Sequence, residues 1–497
     1  MPLSRRAALA LPVALFALSA LTLILLRPAT PVDETRYLAV AWEMVTRGEH
    51  LVPHLNGAVY GHKPPLLFWL MDAVWAVTGV SGFAARLVGP AAAVLSVALT
   101  GVLARQLWPG EPARAPRAML ILATLPLFLT FGSATMFDAL LTATVLTALI
   151  GVLRGDWRLV GLGLGLGALA KGPVVLIHVL PVLLAQPWWR GTGWRATAGM
   201  AARGLALGAG IAALWLVPAL LTGGEAYGVE VLWRQSAGRV VSAFDHGRPV
   251  WFYLALLPLM VWPFGWLPGR PQPGRAAGRM LGLWMAAALA AFSLISGKQM
   301  HYLLPELPAL ALLAATVPAR ALSPWRRALL VLPLIGVVAL PVAAAVGRLG
   351  ALPPLPPAAL ALAGVSLMAG VLGLWRLPPA TGVPALALGA VLGLHFAAAP
   401  VLFARYDTAP IAAHLAGREG DGLALMAADY AGEFNFAARL TAPVALLPDA
   451  AAAAAWGAAH PEGTLIVPGA KPPGAGWALR ETLPLRSRDY RLYRRAG

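Results

Sequence analysis

Residues 7–26 carry no charge and follow directly on Arg5 and Arg6. That length is close to the ~20 apolar residues an α-helix needs to cross a bilayer. Twelve further apolar stretches follow, at 85–104, 118–132, 138–153, 159–170, 173–187, 200–221, 250–267, 280–296, 301–318, 328–347, 358–375 and 382–403. Lipid offers no partner to a free backbone N–H or C=O, so such segments must close their hydrogen bonds internally, as helices. The sequence therefore predicts an all-α polytopic membrane protein with about 13 transmembrane helices. Only 12% of the residues are charged, against about 25% in a soluble domain. Cysteine is absent, which removes disulfides, thiolate metal sites and cysteine nucleophiles.

The net charge of +17 does not point to nucleic acid. Arginines fall in short runs between apolar stretches, as topology signals do. With the N-terminus cytoplasmic, the clusters at 190–203, 270–279 and 320–327 face the cytoplasm, provided that 159–187 forms two short helices broken at Lys171-Gly172-Pro173. A single long helix there would turn every later loop around and violate the positive-inside rule. Residues 7–26 lack a clear small-residue cleavage site and read as an uncleaved span. Residues 65–79 are too short and too near a charged loop to span, and read as a surface-lying helix.

Charges return every few residues after position 403. We divide the chain into a membrane domain, 1–403, and a small C-terminal α/β domain on the outer face, 404–497. Strands are expected at 423–428, 464–467 and 490–493, and a helix at 450–460. No repeat of 20–50 residues is visible. The glycines at 161, 163, 165 and 167 fit close helix packing and lack the lysine-serine ending of a phosphate loop.

Ionisable residues are costly at a membrane boundary and mark function there. On the outer side the topology gathers Asp33, Glu34, Arg36 and Tyr37 just after the first span. The same side receives Lys63, Asp138, Lys171, Arg239, His246, Arg248, Lys298, His301 and Tyr302. Lysines and arginines suit a phosphate, as point charges and as a planar fork. A carboxylate beside them can take a proton from an attacking hydroxyl. Together they outline group transfer from a lipid phosphate. Plainer roles compete: Asp33 and Asp138 as helix caps, Lys63 and Arg36 snorkelling to headgroups, Lys298 as an interfacial anchor, Arg239 and Arg248 as solvated loop charges. His50, His54 and His62 do not make a zinc set, because Pro53 breaks any helix that would align the first two. No Asp-x-Asp pair in the outer loops calls for a divalent cation.

These residues fall in a recognisable order. Asp33-Glu34-Thr35-Arg36-Tyr37, Pro53-His54-Leu55-Asn56-Gly57, Lys63-Pro64-Pro65-Leu66, Phe137-Asp138 and Lys171-Gly172-Pro173 come first. Gly238-Arg239, His246 to Tyr253, and Lys298 with Tyr302-Leu303-Leu304-Pro305 follow. The series resembles the bacterial lipid A aminoarabinose transferases, members of the GT-C membrane glycosyltransferases alongside the protein O-mannosyltransferases. The family usually has Glu where this chain has His62, and often Glu-His where it has Gln235-Ser236.

The resemblance implies a GT-C fold with juxtamembrane helices in the first periplasmic loop and a periplasmic C-terminal domain. It implies an inverting glycosyltransferase of the bacterial inner membrane, moving a sugar from a polyprenyl (undecaprenyl) phosphate to lipid A or another envelope glycolipid. Asp33 matches the catalytic aspartate and Asp138 the second acidic residue. Arg36, Tyr37, Lys63, Lys171, Arg239 and Tyr302 match positions lining the donor, and His246 and Lys298 complete the substrate-binding set. No cofactor is required, and a divalent metal enters only incidentally. The expected partners are the donor, membrane lipids and the acceptor, with no nucleic acid. A protein or glycan O-glycosyltransferase is the alternative within the fold. A flippase or transporter is the alternative outside it, although the charges crowd one face and no paired repeat appears.

Overall fold

The computed structural model describes residues 4–231, 247–318, 320–336, 338–339, 355–426 and 429–496. The chain forms two compact units. The first comprises Met1–Leu26, Gly61–Leu67 and Arg86–Ala398; the second comprises Arg27–Tyr60, Phe68–Ala85 and Ala399–Gly497.

Among the described residues, eight helices are long and apolar enough to cross a membrane. They are Arg5–Leu26, Gly82–Leu107, Phe137–Arg154, Trp157–Leu184, Trp194–Glu225, Arg275–Leu294, Pro357–Arg376 and Pro379–Ala398. A ninth is the pair Arg114–Thr124 and Pro126–Gly132, bent by 66° where Pro126 follows the extended Leu125. The chain is a multi-pass membrane protein.

The described residues do not confirm the count of about thirteen, because several of the expected segments are shortened or broken, mainly at prolines. Residues 250–267 yield only Phe252–Met260, with Pro258 inside it, and a 3₁₀ turn at Phe264–Trp266 after Pro263. Residues 301–318 become a 3₁₀ segment, Met300–Glu306, leading into Leu307–Ala315. Each proline removes one helical hydrogen bond and crowds the preceding turn. Of 328–347, the helix Pro324–Val331 covers the start, and 340–347 lie outside the described residues.

The stretch Trp157–Leu184, long enough for one span by length alone, is folded back as a hairpin of two short helices. Trp157–Lys171 ends where Gly172 takes φ 75°, ψ −158°, a conformation closed to residues with a Cβ. Val175–Leu184 then returns. Arg190 donates to the Val152 carbonyl at 2.9 Å, whereas one straight helix from Trp157 would carry Arg190 about 50 Å away. The helix beginning at Trp194 runs parallel to Trp157–Lys171: a Cβ on Gly161 would lie 2.6 Å from Leu207 Cβ, and one on Gly165 2.6 Å from Ile211 Cβ. Gly163 turns to the other side, where a Cβ would lie 2.6 Å from Thr144 O. The glycine run is thus a two-sided small-residue stripe that lets three helices approach closely.

The loops at one end of this first unit are tied together by their own side chains. Trp108 donates to Pro273 O at 2.8 Å, Arg114 to Gln272 O at 3.2 Å and Arg279 to Trp188 O at 2.9 Å. Arg190 on Val152 belongs to this end, while Phe137 and Lys171 stand at the other ends of their helices.

In the second unit, five strands stand in the order 445–447, 423–426, 464–468, 488–495 and 477–485. The first three are parallel, and the last two pair antiparallel. Leu423 and Leu425 face one core with Phe434, and Ala424 and Met426 face another with Ala453. Burial of both faces explains why the central strands are unbroken apolar runs without alternation. The helix Ala450–Ala459 is capped by Asp449, which accepts from Ala452 N at 2.8 Å. The strands at 445–447 and 477–485 were not expected; Arg480, Glu481 and Pro484 interrupt the apolar pattern of the second. The first loop adds the helix Asp33–Arg47 and a hairpin pairing 54–55 with 58–59. Asn56 and Gly57 turn it at φ 53° and 78°, the signature of a tight two-residue hairpin turn.

Candidate active site

In the first unit, the break at Gly172 leaves Lys171 at the last turn of its helix, and Asp138 sits in the first turn of the antiparallel neighbour. A cation at a helix C-terminus and an anion at an N-terminus are each favoured by the backbone dipoles. The two groups meet: Lys171 Nζ lies 2.5 Å from Asp138 Oδ1. Asp138 is only 2% exposed, and its carboxylate is taken by Lys171. His301 Nε2 stands 4.0 Å from Asp138 Oδ2. The Lys171 ammonium is 4.5 Å from the centroid of the Tyr302 ring, a cation–π geometry. His301 is held between Phe131 at 5.4 Å and Tyr302 at 5.0 Å. Lys63 lies 5.9 Å from the Phe137 ring centroid and within the field of Asp138.

The second unit carries a separate set. Asp33 accepts from the Tyr37 hydroxyl at 3.2 Å, and the start of its helix shows no side-chain capping bond. Glu34, beside it in sequence, is fully engaged: both its oxygens take Arg27, and Thr30 adds bonds at 2.9 Å and 2.7 Å. Burial works against the charge on Arg36, but Tyr60, Asp33 and Tyr37 outweigh it, and the guanidinium stands above its ordinary pKa. Asp33 is half-buried.

The structure thus brings together Lys63, Asp138, Lys171 and Tyr302 in one unit, and Asp33, Arg36 and Tyr37 in the other. Arg239 and His246 lie outside the described residues. Lys298 has a different occupation: its ammonium donates to the carbonyls of Ile295 at 2.5 Å, Arg248 at 3.0 Å and Ser296 at 3.5 Å. It ties two segments together at 2% exposure. Sequence reasoning placed His301 on the outer side without giving it a role in the site, and left Tyr60 out. Their positions beside Tyr302 and Lys63 were the available signal. The loop histidines find carboxylates instead of each other: His50 with Asp72 at 3.0 Å, His54 with Glu49 at 3.3 Å and His62 with Glu230 at 3.6 Å. Among the described residues, no group of three or more such side chains is placed to hold a metal ion.

A buried carboxylate fixing a lysine, with a second lysine and two rings nearby, can hold a phosphate and neutralise charge that develops on it. The fold is shared with a solved membrane protein. It aligns with ArnT from Cupriavidus metallidurans bound to undecaprenyl phosphate at a TM-score of 0.74, over 97% of each chain and at 20% sequence identity. By sequence the chain is similar to curated aminoarabinose transferases over part of their length. It is 32% identical over 304 residues to the undecaprenyl phosphate-α-4-amino-4-deoxy-L-arabinose arabinosyl transferase of Pseudomonas paraeruginosa, covering 56% of this chain and 54% of the relative. To a namesake in Sodalis glossinidius it is 33% identical over 309 residues, covering 57% and 54%. The matches thus span about half the length of these curated relatives. Residues 62–220 match the family described as dolichyl-phosphate-mannose-protein mannosyltransferase.

Proposed function

We propose that the chain is an inverting glycosyltransferase of the bacterial inner membrane that takes a sugar from a polyprenyl phosphate and gives it to lipid A or another envelope glycolipid. The N-terminus is cytoplasmic, and the reacting groups and C-terminal domain are periplasmic. The observation that carries the reading is the Asp138–Lys171 pair at 2.5 Å under Tyr302, with His301 and Lys63 beside it. The curated relatives named above support the donor class, and a pentose is the first sugar to test.

In this reading the acceptor oxygen attacks the anomeric carbon from the face opposite the phosphate. The carbon–oxygen bond to the phosphate breaks, and both its electrons leave with the phosphate. Lys171 and Lys63 stabilise that charge, the larger electrostatic contribution, and Arg239 joins them. Asp138 fixes Lys171 and is not itself the base. Asp33 takes the proton of an acceptor hydroxyl; for a phosphate acceptor it only orients. The resemblance assigns Arg36, Tyr37, Tyr302 and His246 to binding of the donor. A departing phosphate needs no protonation and no cofactor.

Mass analysis of lipid A from cells with and without the gene tests this directly. A sugar-sized mass lost on deletion, and restored by the gene, supports the reading. Unchanged lipid A together with loss of a protein-linked hexose supports a protein O-glycosyltransferase, which the family match over 62–220 favours as second reading.

A further inference from the structure

Deeper in the first unit, His178 Nδ1 and Glu306 Oε1 lie 2.5 Å apart, with side-chain exposures of 0% and 6%. Their outer atoms, His178 Nε2 and Glu306 Oε2, have no hydrogen-bond partner among the described residues. Two ionisable groups this deep in a membrane unit mark function, and stability gives little reason for them. Well-packed apolar side chains hold such a place as well or better. What a hydrogen-bonded pair adds is direction.

The direction it sets is that of the reacting groups. His178 lies one helical turn into the returning arm of the hairpin, which starts at Val175. Glu306 ends the 3₁₀ segment that carries His301 and Tyr302. Phe292 fills the space between, its ring 5.5 Å from His178 and 5.9 Å from Tyr302. A continuous series of contacts therefore runs from Lys171 through the Tyr302 ring and Phe292 to His178 and Glu306. We propose that His178 and Glu306 are positioning residues: a buried clamp that locks the hairpin arm to the 3₁₀ segment, so that Tyr302 covers Lys171 and His301 faces Asp138. The proposal rests on the transferase reading for its kinetic consequence, but not for its geometric one.

Two measurements on the full-length protein in lipid nanodiscs test it. The variants are Glu306→Leu, the double change His178→Leu with Glu306→Leu, and Glu306→Gln, whose amide oxygen still accepts the imidazole N–H. The first measurement is labelling of Lys171 by a small amine-reactive reagent, read by mass spectrometry. We expect labelling about tenfold faster in both leucine variants and close to wild type in Glu306→Gln. The second is turnover of a polyprenyl-phosphate sugar. Misplacement by about an ångström costs up to ~100-fold, so kcat should fall at least about tenfold in the leucine variants while donor KM changes little. The glutamine variant should recover it.

A double-leucine protein with wild-type labelling and wild-type kcat overturns the clamp. So does a glutamine variant as impaired as the leucine ones. A wild-type protein that transfers nothing counts against the transferase reading alone, and the labelling result then decides the clamp.

Discussion

Two buried carboxylates in different parts of the molecule have opposite surroundings. Glu43, in the second unit, is saturated. It accepts from the backbone N–H of Asn56, from Gly57 N at 3.0 Å and from Asn435 Nδ2 at 3.3 Å. Asn56 in turn pairs with Val444, donating at 2.9 Å and accepting at 2.8 Å. Asp138, in the first unit, has one lysine on one oxygen and a histidine 4.0 Å from the other. The first arrangement completes the backbone hydrogen bonds of a hairpin and holds a fold. The second concentrates charge on side chains that have few bonds to the backbone and that a substrate can share. Asp33 and Glu34 repeat the contrast in adjacent residues: Glu34 is enclosed by Arg27 and Thr30, while Asp33 has the Tyr37 hydroxyl and the field of Arg36. Saturation, more than burial, separates the acids that hold structure from those available for chemistry.

The sharpest way to break this contrast is to neutralise the open acids. Asp33→Asn should lower transfer by ~10²–10⁴-fold, the usual worth of a positioned base, with membrane-inserted protein unchanged. Retained turnover removes Asp33 from that role. Lys171→Met should cost ~10²–10³-fold, as losing one preorganised charge partner does. An equal loss in its Asp138→Asn counterpart would show that the pair acts as a unit.

The saturated acids should respond in stability. Glu34→Ala takes from Arg27, 8% exposed, the carboxylate that its guanidinium grips at both oxygens, and breaking a buried ion pair costs about 3–5 kcal/mol. Thermal unfolding in detergent measures it, and an unchanged midpoint would contradict the assignment. Smallest is a pH effect at the surface. Burial raises Asp72 to about 6, and the His50 hydrogen bond offsets only part of that. The folded state then binds a proton more tightly than the unfolded one, so stability falls as pH rises from near 4 to near 6. Asp72→Asn should remove that slope and gain under about 1 kcal/mol at pH 8, since water screens a partly exposed group.

Much of the site was legible because its residue types are expensive where they occur. A lysine between two short apolar helices, and an aspartate opening a third, needed a reason in the sequence alone. Lys171 and Asp138 proved to be each other's partner. Lys298 looked equivalent by the same criterion, but its three backbone carbonyls belong to segments whose proximity no spacing rule encodes. His178 and Glu306 passed unnoticed because each stands alone in an apolar run, 128 positions apart.

The apolar lengths, the glycine stripe and the Gly172 break followed from the sequence itself, because lipid solvation and backbone sterics act on neighbouring residues. Which carboxylate is closed and which open was decided only in three dimensions. A hydrogen bond depends on where its partner's atoms lie, and for Glu43, Asp138 and Glu306 those atoms come from segments brought close only by folding.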